Sequence, residues 1–124
     1  MKTLPENASL KQVRSFINTI PSSDFITNSY ESDGKYCTLG HINRAASNGE
    51  SCSRSTVEIP FRNSTLKYLK EEHNIGYTDV VDVNDTPDIN GFVQETPKKR
   101  VLALLDDMIQ KGYEIDYSTQ KYGS

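Results

Sequence analysis

The sequence predicts a small α+β domain, mostly helical, with about four helices and a minor pairing of short strands. Three observations carry that reading. Apolar residues recur at helical spacing from Leu10 to Ile20 and from Val101 to Ile109. Both runs follow recognisable helix caps, and a separate β-branched run, Val80, Val81 and Val83, has strand character. At 124 residues there is room for one such domain. Its expected extent is residues 1–117, with 118–124 as a flexible, polar tail.

The first helix is expected over about 8–20, with Leu10, Val13, Phe16, Ile17 and Ile20 on one face. Ser9 and Gln12 form a capping box, Asn7 is a rival cap, and Pro21 stops the helix because it has no N–H to donate. Residues 21–35, rich in Ser, Asp and Asn, read as a loop with Asp33-Gly34 as a turn and at most a short extended piece at Phe25-Ile26-Thr27. A second helix is expected over about 36–47, with Leu39, Ile42 and Ala46 in one stripe and Cys37, Gly40 and Arg44 beside it. Glycine inside a helix costs about 1 kcal/mol relative to alanine, so Gly40 implies the close approach of another backbone. Asn48-Gly49 supplies the stop.

The Ser-rich stretch 50–60 reads as a connector, with Thr56-Val57-Glu58-Ile59 alternating as a short strand would. The third helix follows at about 64–73, capped by Asn63 or Ser64, with Leu66 and Leu69 inward. Tyr77 to Val83 reads as a strand needing a partner from 25–36 or 56–59. The last helix is the clearest. Thr96 caps it, Pro97 occupies the first helical position where its missing N–H is no loss, and Gly112 ends it, giving about 97–111. The first, second and last helices are expected to form the main core.

Apolar types make up 35% of residues, enough for a modest core without metal or disulfide. The formal charge of -3, from 17 acidic and 14 basic side chains, disfavours non-specific binding to nucleic acid, which needs a positive field. No run approaches a membrane span, and the first residues lack the apolar stretch of a secretion signal. A cytoplasmic protein is therefore expected, with Cys37 and Cys52 as free thiols in a reducing compartment.

Several groups carry possible chemistry. Cys37 and His41, four apart in the expected helix, fall on one face, where an imidazole could hold a thiolate for nucleophilic attack. The simpler reading is a buried thiol packing as a small hydrophobe, because no oxyanion site or third orienting group has a signature here. Cys37, His41, Cys52 and His73 provide the residue types of a Cys₂His₂ zinc site, but their spacings contain no knuckle, so neither a metal nor a cofactor is expected. Asp79, Asp82, Asp85 and Asp88 recur every third residue but do not fit a calcium-binding loop; Asp82, Asn84 and Asp85 would be the first ligands to test.

Lys98, Lys99 and Arg100 occupy the first turn of the last helix, where cations oppose the macrodipole unless an anion or an acidic partner surface is held there. Seven tyrosines and no tryptophan are the other unusual feature, and Tyr113, Tyr117 and Tyr122 in the tail could anchor a protein interface.

The order Tyr36-Cys37-Thr38-Leu39-Gly40, then Val83-Asn84-Asp85, then Thr96-Pro97 leading into Val101-Leu102-Ala103-Leu104-Leu105 resembles a family of small uncharacterised bacterial and phage proteins. That resemblance spans about residues 36–110. It departs from the family's pattern at His41 and in the longer turn from Asp88 to Glu95. It implies a fold and no activity. The expected function is a non-catalytic protein-binding module, with a phage-encoded protein acting on a host protein in the host cytoplasm as its particular form. The competing expectation is a small cysteine-dependent enzyme using Cys37 and His41.

Overall fold

The computed structural model describes residues 3–47, 49, 55–88 and 91–123. In chain order these form helix α1 (Leu10–Asn18), a hairpin of β1 (Glu31–Ser32) and β2 (Lys35–Tyr36), then helices α2 (Thr38–Ala46), α3 (Glu58–His73), α4 (Val80–Asp85) and α5 (Pro97–Gln110). This is a small α+β domain. Among the described residues no helix is long and apolar enough to cross a membrane.

The amphipathic helices form where capping and periodicity agree. At α1 the Ser9 hydroxyl accepts Gln12 N while the Gln12 side chain accepts Ser9 N, completing the capping box. At α5 the Thr96 hydroxyl accepts Lys99 N and Pro97 opens the helix. Val101, Leu104, Leu105 and Met108 are fully buried along the inner face of α5, which packs most extensively on α1 and α4. Each such side chain contributes roughly 2 kcal/mol by leaving water. The expected trio of α1, α2 and α5 does meet, but the short α4 shares the centre with them.

Three local expectations are corrected. Cys37 stands outside α2 as its N-cap, with extended backbone at φ -75° and ψ 175°. The third helix begins at Glu58, and the expected strand at 56–59 is its entry turn. Pro60 is tolerated there because the first-turn N–H groups have no partner within a helix. The expected strand through Val83 is instead α4, where Asp79 and Asp82 close a capping box and Val80 and Val83, three apart, turn inward. In the segment expected as a tail, residues 121–123 lie against α3, in contact with the Asn63 side chain, Arg62 and Asp79.

The sheet comes from the turn that the sequence did mark. Asp33 (φ 53°) and Gly34 (φ 74°) both take left-handed backbone, the geometry of a tight two-residue hairpin, and pair Glu31 with Tyr36 and Ser32 with Lys35. Phe25 adds an isolated parallel bridge to Tyr36. Asn48, expected to stop the second helix, lies outside the described residues.

Candidate functional site

Around the start of α2 the polar groups are turned to one another. The Thr38 amide and hydroxyl both donate to Asn84 Oδ1, at 3.1 and 2.7 Å, while Asn84 Nδ2 donates to Ile26 O. Gly40 permits this closeness. A Cβ there would stand 2.4 Å from the Tyr30 carbonyl oxygen, which accepts Cys37 N, so the close backbone approach expected at Gly40 is present.

Cys37 and His41 engage different neighbours. Cys37 Sγ accepts Gly40 N at 3.5 Å, and burial pushes its thiol up, away from the nucleophilic thiolate. His41 lies between the rings of Phe25 and Tyr36, with Nε2 2.9 Å from Asp24 O, and burial lowers its basicity. The two residues line separate cavities. One, of about 420 Å³, includes Tyr30, Cys37, Arg62 and Asp85; the other, of about 440 Å³, includes Phe16, Asp24, His41 and Arg44. Because Cys37 is an extended cap, the one-face geometry expected of two helical residues four apart does not arise. Among the described residues no hydrogen bond joins the two side chains.

The expected metal ligands are likewise dispersed. His73 Nε2 is 2.8 Å from the Tyr68 hydroxyl, and its ring packs on Phe92; Cys52 lies outside the described residues. Asp79 and Asp82 cap α4, Asp85 accepts Asn28 N and Asn84 Nδ2, and the Asp88 amide donates to Phe92 O. Among the described residues, no group of three or more His, Cys, Asp or Glu is arranged to hold a metal ion.

Lys98, Lys99 and Arg100 divide. Arg100 is buried, and its guanidinium donates to the carbonyls of Val83, Asn84 and Gln94 at 2.9, 2.7 and 3.0 Å. It closes the carboxyl end of α4, where helix carbonyls lack partners, and is not disposed toward an external anion. Lys98 Nζ donates to Asn18 O and Lys99 is exposed, so neither shares a site with the Arg100 guanidinium.

The tail tyrosines are drawn into the fold. Tyr113 donates to Glu71 and Glu72, Tyr117 to Ala8 O, and Tyr122 to Asp79. The exposed aromatic lies elsewhere. Tyr77 is 100% exposed and Val93 59%, the two greatest exposures among the large hydrophobic residues described. Both belong to the stretch from Glu71 to Glu95, which holds seven of the 17 carboxylate residues and none of the 14 lysines and arginines. Tyr77 also has φ 60°. For an L-residue this left-handed backbone costs roughly 1–2 kcal/mol, and a ring in water repays none of it inside the chain.

Sequence reasoning overlooked this surface, although the charge imbalance was legible; the exposure of Tyr77 was not. It also overlooked Arg62, Asn63 and Asp79 acting together, because Asn63 read as a helix cap and Asp79 as one of four regularly spaced aspartates. These observations define a small helical α+β domain whose stretch from Glu71 to Glu95 combines seven carboxylates with exposed Tyr77 and Val93. Comparison with protein-family models, curated proteins and solved structures gives no match.

Proposed function

We propose that this chain is a non-catalytic protein-binding module that presents the acidic surface around Tyr77 and Val93 to a basic protein. The observation that carries this reading is the coincidence of the two most exposed large hydrophobic side chains among the described residues with a stretch of seven carboxylates, of which only Asp79 is buried, and no lysine or arginine. Tyrosine buries a large area on binding at low entropic cost, and the carboxylates select a partner of opposite charge and speed its approach. The left-handed backbone at Tyr77 supports the same reading, because its fully exposed ring buries nothing within the chain to offset that strain.

A photo-reactive phenylalanine analogue placed at position 77 in the native cell tests the proposal, with the same probe at exposed Ser118 as control. The expected result is one dominant adduct mapped to a basic stretch of its partner, lost when Asp88 and Glu95 are replaced by lysine. Adducts no different from those at position 118, or unaffected by the lysines, overturn it.

A further inference from the structure

The segment held against α3 is bound as a ligand would be. Asn63, 7% exposed, uses both ends of its amide: Nδ2 donates to Lys121 O at 3.0 Å, and Oδ1 accepts Gly123 N at 2.8 Å. One side chain thus satisfies the backbone on both sides of Tyr122. The Tyr122 ring lies 4.3 Å from the Arg62 guanidinium carbon, and its hydroxyl donates to Asp79 Oδ2 at 2.7 Å. Gly123 takes φ 84°, which glycine adopts without penalty.

Two of the three receiving groups, Arg62 and Asp79, have partners outside the tail. Asp79, 1% exposed, caps α4 through Oδ1, while its Oδ2 accepts Arg62 Nε at 2.9 Å. Arg62 also lies 3.8 Å from the buried Glu58 carboxylate, four residues earlier on α3. The tail invests little in return. Ile115 is the last buried hydrophobic residue described, and Tyr122 keeps 42% of its surface in water. Segments with so few buried contacts open at small cost.

We propose that Arg62, Asn63 and Asp79 form a recognition site for a tyrosine-glycine turn on a partner protein, and that residues 121–123 are its built-in competitor. The amide of Asn63 reads the backbone of the turn, Arg62 and Asp79 read the tyrosine ring and hydroxyl, and the left-handed position selects glycine. A tethered competitor acts at an effective concentration on the order of millimolar, so the site is masked until a stronger segment displaces it. This site shares Asp79 with the acidic stretch but uses none of Tyr77, Val93, Asp88 and Glu95, on which the test of the basic partner rests, so either proposal can fail alone.

The probe is a fluorescein-labelled peptide of residues 119–124, titrated into the full chain carrying Tyr122→Ala and, separately, Gly123→Ala. No atom lies within 4 Å of a Cβ added at Gly123, so the second change loosens the tail through backbone strain alone and leaves the receiving groups intact. Expected are saturable binding to both variants, at least about 5-fold tighter than to the unaltered chain, and loss of binding when tyrosine in the peptide becomes alanine. Binding no tighter in Gly123→Ala than in the unaltered chain overturns the proposal, as does equal binding of the alanine peptide.

Discussion

The start of α2 and the stretch from Glu71 to Glu95 use polar residues in opposite ways. At the first, Thr38, His41 and Arg100 spend hydrogen-bonding groups on neighbouring backbone or side chains, and Gly40 admits a carbonyl where a side chain would stand. At the second, Tyr77 and Val93 face water among carboxylates. A residue's chemical repertoire is therefore a poor guide to function until its partners are counted. Cysteine, histidine and arginine make α2 and its surroundings look reactive in sequence, yet burial and internal bonding commit them to the fold. The acidic stretch holds candidate ligands of its own in His73 and its aspartates, but it also has exposed side chains to offer.

The largest expected effect tests how tightly the first region is closed. Alanine at Gly40 gains up to about 1 kcal/mol of helix propensity, but its Cβ would stand 2.4 Å from the Tyr30 backbone oxygen. Backbone cannot swing aside as a flexible side chain can, so overpacking wins and the net loss is about 2 kcal/mol or more. Urea unfolding of Gly40→Ala measures it. Unchanged stability would mean that the hairpin and α2 are not locked together.

Next in size is Arg100, set against its neighbours. Lysine keeps the charge but cannot reach three carbonyls with a planar fork, so Arg100→Lys should cost about 2 kcal/mol, while Lys98→Gln and Lys99→Gln stay within about 0.5 kcal/mol. Thermal unfolding of the three variants provides the ranking. Equal, small effects would return Arg100 to the surface with the two lysines.

These cases show how much was legible. The Ser9–Gln12 capping box and the Thr96-Pro97 start located α1 and α5 to within a residue or two, because local hydrogen bonding and one buried face determine them together. Gly40 announced a close approach, since few other reasons place glycine within a helix. The β-branched run misled because Val80 and Val83 suit a strand's alternation poorly but a helix's inner face well, and the Asp79–Asp82 capping box settles the competition. Cys37 and His41 misled for a related reason: moving Cys37 from the first helical turn to the cap changes its direction, and one residue of boundary suffices. The acidic stretch could be read from charge alone. The Arg62, Asn63 and Asp79 arrangement could not, because it depends on a segment about 60 residues away folding back onto α3.

The smallest expected effect separates the two regions most sharply. Tyr77→Gly removes an exposed ring that contributes no burial and relieves the left-handed backbone at φ 60°, while glycine adds chain entropy to the unfolded state. The relief, roughly 1–2 kcal/mol, exceeds an entropic cost of roughly 0.5–1 kcal/mol, so the variant should be more stable by about 0.5 kcal/mol. Replacing a large aromatic residue by glycine would then strengthen the fold. Such a gain, measured by urea unfolding, means that Tyr77 is kept at the expense of stability, as residues serving a partner often are. A loss of 1 kcal/mol or more would show instead that the ring packs within the chain, and would place Tyr77 with the internally committed residues around α2.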